Sequence, residues 1–149
     1  MSTQSNAPTN EDIELRSEID RSLRHPVMFF FTSGAAWLAV SLVLGIIASI
    51  KTHNPAFLGE ASFIQYGRAF PAHINALVYG WGAQAAFGVM IWLMARLSRQ
   101  PSRNAGTLLV AGHVWNLAVI LGTVGILAGH GTGKHWMEFP TFVWPVLLA

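Results

Sequence analysis

The chain has no cysteine in 149 residues. Disulfide frameworks, thiolate zinc sites and thiol catalysis are excluded at once. Charge is nearly as scarce. Asp, Glu, Lys and Arg together number 16, or 11 %, where a soluble domain of this size carries about a quarter. Half of those 16 lie in the first 24 residues. The formal net charge of +2 offers no basic stripe to a nucleic acid, because the Lys and Arg residues sit at the ends of apolar tracts.

Three tracts lack any Asp, Glu, Lys or Arg. His25 to Ile50 is 26 residues, Ala69 to Ala95 is 27, and Asn104 to Gly133 is 30. A helix needs ~20 apolar residues, rising 1.5 Å each, to cross ~30 Å of hydrocarbon. A charge at the bilayer centre costs ~2.5–3.5 kcal/mol, which explains why the tracts are bare. The composition therefore predicts an all-α membrane protein, an antiparallel transmembrane bundle. Its complete spans are expected over about His25–Ile50, Phe70–Leu97 and Asn104–Ala128. The 11 residues from Phe139 to Ala149 are again apolar but too short to cross. They read as a partial fourth span, the front of a longer chain.

The first 24 residues have no apolar core before Pro26, so they are not a signal peptide. Asn10 followed by Glu11 and Asp12, with Leu15, Ile19 and Leu23 four apart, predicts a short surface helix there. The expected division is thus 1–24, an N-terminal segment, and 25–149, the membrane region. Lys and Arg counts orient the chain. Arg16, Arg21, Arg24, Arg96, Arg99 and Arg103 lie on one side; Lys51, Arg68 and Lys134 lie on the other. Six against three places the N-terminus in the cytoplasm.

Small residues crowd the spans, with Gly80, Gly82, Ala83, Ala85, Ala86 and Gly88 in the second and Gly122, Gly125 and Gly129 in the third. They permit close helix contact or leave room for a flat cofactor. Gly129, Gly131 and Gly133 follow no strand, so they are read as a turn and not a phosphate loop.

Histidine is the residue type with chemistry to offer. His73 lies five residues inside Arg68, two beyond Pro71, a residue suited to a first helical turn. At helical rise it sits ~5–8 Å below the outer end of that span. A buried imidazole needs a partner. The bland partner is a serine or a backbone carbonyl on a neighbouring helix; the functional one is a haem iron, for which neutral imidazole is the usual axial ligand. Leu77, Gly80, Gln84 and Gly88 follow on one face and would leave space for a macrocycle, and Arg68 at the rim suits haem propionates. His113 enters the third span from the opposite side, ~20 Å from the depth of His73, and is expected to be a packing residue. His130 falls in the glycine-rich turn, while His25, His53 and His135 flank membrane edges. No His-x-x-x-His or Glu-x-x-His pair exists on a helix. Glu138, at the outer edge, is expected to be solvated, and becomes informative only beside propionates or a cation.

With these residues in view, the chain resembles the N-terminal part of subunit I of the cbb-type cytochrome c oxidases, the C-family of haem–copper oxidases. The likeness is carried by Tyr66-Gly67-Arg68, Pro71-Ala72-His73-Ile74-Asn75-Ala76 and Tyr79-Gly80-Trp81-Gly82. A shorter match is Lys134 with Trp136-Met137-Glu138-Phe139-Pro140, where Phe139 replaces the family's tryptophan. The resemblance implies a bundle of about twelve helices. It implies that His73 ligates the iron of low-spin haem b, with Arg68 near the propionates. It matches Glu138 to an acid associated with calcium. A high-spin haem and copper would be held by later helices. Electrons would arrive from cytochrome c or c-type cytochrome subunits in a bacterial inner membrane and reach oxygen with proton translocation. Three rivals stand beside this reading: the catalytic subunit of a nitric oxide reductase, a small membrane cytochrome holding haem between His73 and His130, and a membrane scaffold without redox chemistry.

Overall fold

The computed structural model describes residues 9–59 and 61–148. Residues 1–8 of the expected N-terminal segment, Glu60 and Ala149 fall outside them. The described residues contain helices and turns and no strand. Three helical runs are long and apolar enough to cross a membrane: Asn10–His53, Tyr66–Ser98 and Ala105–Ala128. This is the all-α membrane bundle that the charge-free tracts predict.

Helix α1, Asn10–His53, runs 44 residues, about 66 Å at helical rise. The surface helix expected over the N-terminal segment is present, but it continues into the first span without a break. Its cap is Thr9 in place of Asn10, with the threonine hydroxyl accepting from the Asp12 amide at 3.3 Å. Pro26 removes one backbone donor from the middle of the helix. Ile19 and Leu23, four apart as expected, are buried. Arg96 forks onto Asp20, its Nε donating to Oδ1 at 3.0 Å and its Nη2 to Oδ2 at 2.8 Å. Arg99 pairs with Asp12. The Arg99 hydrogen bond, and after it the Thr9 hydroxyl, hold the Asp12 carboxyl below its ordinary value.

The second span is helix α2, Tyr66–Asn75, a π segment, Ala76–Gly82, and helix α3, Ala83–Ser98. It starts four residues earlier than the apolar tract suggests. Pro71 is therefore the sixth residue of the helix and leaves the carbonyl of exposed Gly67 to solvent. Arg99 ends the span in the left-handed region. Helix α4, Ala105–Ala128, ends at Gly129 with φ +97°, and the amides of Gly129 and His130 return to the Ile126 and Gly125 carbonyls. The partial fourth span is a 3-10 turn, Thr141–Val143, followed by helix α5, Trp144–Leu147.

The small residues serve helix contact. A Cβ at Gly80 would stand 2.6 Å from Trp37 Cγ, and one at Gly112 would stand 2.6 Å from Phe29 Cε1. Phe139 sits on Gly122 and Pro140 on Gly125. At the centre of the three apolar tracts lies a polar node. Asn116 and Gln84 exchange amide hydrogen bonds, at 3.1 and 3.2 Å. Ser33 donates to Gln84 Oε1, and Trp37 Nε1 donates to Asn116 Oδ1 at 2.8 Å. The remaining amide protons go to the carbonyls of Gly80 and Gly112. Every amide donor is satisfied, which is what a low-dielectric core demands of polar groups. The node fixes the register of α1 against α3 and α4. The π segment leaves the Tyr79 carbonyl accessible, and Trp115 Nε1 donates to it at 2.9 Å.

Candidate functional site

His73 lies seven residues into α2, ~10 Å below its first residue, and faces α1. Its Nδ1 is 2.7 Å from the Ser41 carbonyl and 2.9 Å from the Ser41 hydroxyl, which itself donates to the His73 carbonyl at 3.0 Å. A carbonyl only accepts, so Nδ1 is the donor, and in the neutral ring the lone pair is on Nε2. Gly45, one turn further along α1, lies against the ring: a Cβ there would stand 2.9 Å from both Cε1 and Nδ1. Ser41, Leu44, Ala48 and Lys51 form the buried stripe that carries this contact. The bland partner and the free ligand nitrogen thus coexist on one ring. A hydrogen bond that fixes one imidazole nitrogen and frees the other is the support a metal-ligating histidine receives.

Arg68 is half-buried. Its Nη1 donates to the Leu127 carbonyl at 3.2 Å, and its guanidinium lies over Gly129. It therefore caps the end of α4, with further N–H groups left for an anion at the rim.

Glu138 corrects the expectation of a solvated acid. It is 6 % exposed, accepting from Asn75 Nδ2 and standing 3.7 Å from His135 Nδ1. Asn75 also donates to the Pro71 carbonyl at 2.9 Å, while its own Oδ1 is buried without a partner. An unpartnered amide oxygen beside a carboxylate offers hard donors, the type calcium takes, but calcium needs six to eight of them. No three His, Asp or Glu side chains gather among the described residues. A cation here would draw its other ligands from carbonyls, water or propionates.

The other expectations sort clearly. Gly80 and Gly88 are covered by Trp37 and Phe31, and Gln84 belongs to the polar node. From Gly80 onward that face meets α1, whose side chains fill the space a macrocycle was expected to take. The π segment breaks the three-and-four periodicity on which the expectation rested. His113 donates to the Leu109 carbonyl at 2.7 Å and stacks on Phe29 at 4.5 Å. Phe29 and Ser41 are 12 residues apart on α1, about 18 Å, so His113 and His73 cannot share an iron. His130 is exposed in the turn after α4, His25 is exposed within α1, and His53 and His135 are exposed at a helix end and in a turn. An apolar groove of about 520 Å³ lies between α3, α4 and α5, away from His73. The sequence marks Asn75 as part of the motif but not its bond to Glu138, and it marks neither Ser41 nor Gly45. These last two lie mid-span on α1, far in sequence from the histidine they contact.

The chain is similar to two curated relatives. A "Cytochrome c oxidase subunit 1 homolog" of Agrobacterium tumefaciens (strain T37) is 25 % identical over 122 residues, covering 76 % of this chain and 22 % of the relative. One of the same description from Azorhizobium caulinodans is 26 % identical over 106 residues, covering 68 % of this chain and 18 % of the relative. The chain thus spans about a fifth of the length of these relatives. No solved structure matches it. A three-span bundle with an oriented histidine near one rim is the setting in which the profile described as "Cytochrome C and Quinol oxidase polypeptide I" matches residues 25–149, and the chain belongs to that family.

Proposed function

We propose that this chain is the N-terminal part of the catalytic subunit of a cbb-type terminal oxidase. In this reading His73 Nε2 would hold the iron of low-spin haem b. The observation that carries it is the imidazole itself, anchored through Nδ1 to Ser41 at 2.7 Å and seated on Gly45, with Nε2 uncommitted. When bound, the haem supplies reversible one-electron chemistry at iron. The chain's own residues hold and tune it. Ser41 fixes the tautomer and raises the basicity of the ligand nitrogen. Arg68 pairs with propionates at the rim. Glu138 and Asn75 contribute two oxygens towards a calcium ion there.

The full-length subunit would pass electrons from cytochrome c, or from c-type cytochrome subunits, to a high-spin haem and copper centre. Oxygen would be reduced there to water with proton translocation. The ligands of that centre belong to helices outside this chain. The N-terminus lies in the cytoplasm and the bundle in a bacterial inner membrane. Membership of the oxidase family and the asymmetry of arginines support these assignments.

The test is the reduced spectrum of the full-length protein. His73→Ala removes one axial ligand, so the low-spin band is lost, not shifted. His113→Ala leaves it intact. A low-spin band that survives His73→Ala and disappears in His113→Ala refutes the assignment.

A further inference from the structure

We propose that Phe70, braced by Tyr66, is the aromatic wall against which the planar group bound at His73 packs. The inference rests on the haem reading above. Tyr66, Phe70 and His73 stand at i, i+4 and i+7 of α2, one face of a helix. The Tyr66 and Phe70 rings stack with centroids 5.5 Å apart and planes 16° apart. Phe70 and His73 follow at 6.4 Å, tilted by 48°. The opposite face of the same turns is closed: Ala69, Ala72 and Asn75 are fully buried. Tyr66 and Phe70 are 46 % and 36 % exposed.

The direction follows from the imidazole. Its Nδ1 end is closed by Ser41 and Gly45, so a ligand takes the nitrogen at the other end. A flat group whose metal is held by that nitrogen would extend over the residues one turn away on the same face, which are Phe70 and Leu77. Phe70 supplies the large ring, and Tyr66 limits its rotation. An aromatic wall there excludes water from the ligand bond. It disfavours the ferric state, which carries the extra charge, and so holds the potential up. The competing account is that Tyr66 and Phe70 are only members of the aromatic belt at the membrane edge. That account predicts no effect on the bound group.

The experiment uses the full-length, haem-loaded protein with Phe70→Ala, Phe70→Leu, Phe70→Trp and Tyr66→Leu. Three quantities are read: the low-spin spectrum, the rate of haem loss to excess apomyoglobin, and the midpoint potential. Phe70→Ala should keep the low-spin band, lose haem about two- to tenfold faster, the span set by one aromatic contact, and have a lower potential. Tyr66→Leu should move both quantities the same way by less, and Phe70→Trp should stay near the native values. If Phe70→Ala does not accumulate, Phe70→Leu gives the same comparison. Native loss rate and potential in the variant that accumulates, with the band intact, overturn the proposal in favour of the belt. A low-spin band that survives His73→Ala instead overturns the haem reading beneath it.

Discussion

Gly45→Ala is the smallest change that acts on His73 without touching it chemically. The new methyl would stand 2.9 Å from Cε1 and Nδ1 and 3.3 Å from Cγ, where ordinary contact begins at 3.4 Å. The ring must therefore retreat by about 0.5 Å. The Nδ1 contact to the Ser41 carbonyl, 2.7 Å in the native chain, then lengthens towards ~3.2 Å, the long end of the N–H···O range. Such a bond contributes about 0.5–1.5 kcal/mol net. If all of that distinguishes ferric from ferrous iron, the one-electron potential moves by about 20–60 mV. The sign is upward, because a weaker bond at Nδ1 makes a less basic ligand and favours the ferrous state. Packing strain of about 1–3 kcal/mol is partly offset by the ~1 kcal/mol helix preference of alanine over glycine. The protein should therefore fold. Potentiometric titration of the low-spin band in the full-length protein reads the shift. Ser41→Ala is the companion variant; it loses the hydroxyl but keeps the carbonyl, and should shift less. An unchanged potential in Gly45→Ala, with the band intact, refutes the claim that α1 sets the imidazole.

Arg68→Ala should retain haem but lower its potential, because a cation leaves the rim, whereas Arg68→Lys should restore most of the potential without restoring the planar guanidinium that bonds the Leu127 carbonyl; equal potentials in native and Arg68→Ala proteins would contradict this. Gln84→Leu removes three interhelical hydrogen bonds, one to Ser33 and two to Asn116, and at ~0.6 kcal/mol each should cost about 2 kcal/mol. Reversible unfolding in bilayers measures it, and a neutral result would show that the node carries no stability. Gly80→Val should lower stability by about 1–3 kcal/mol through collision with Trp37, and Trp37→Ala in the same chain should relieve most of that loss. A topology reporter after Arg99 should read as cytoplasmic and one at Asn54 as periplasmic; the reverse pattern defeats the orientation.

The spans were legible because the bilayer imposes one rule on every residue it touches, and that rule is local. Their ends were less so. Arg68 looks like the edge of a tract because it is charged, yet it lies inside α2, its guanidinium on the Leu127 carbonyl 59 residues away. The glycine face is illegible for a similar reason. Helical periodicity was carried through Ala76–Gly82, which is a π segment, and nothing near Gly80 in sequence announces that Trp37 fills its space. Glu138 looked solvated because its partner, Asn75, is 63 residues away.

His73 shows a different limit. In the sequence a serine or carbonyl partner and an iron look like rivals, but an imidazole has two nitrogens, and the structure commits only one of them. The same geometry gives a reason for the Pro71-x-His73-x-Asn75 spacing. Two residues on a helix are ~200° apart, so His73 and Asn75 must face nearly opposite neighbours. His73 meets Ser41 and Gly45 of α1; Asn75 meets Glu138 beyond α4, with its second amide proton on Pro71. The first turns of α2 thus form a wedge, one side aiming the imidazole and the other burying an acid at the rim. A shift of either residue by one position would turn its side chain ~100°, taking His73 off the Ser41 carbonyl or Asn75 off Glu138.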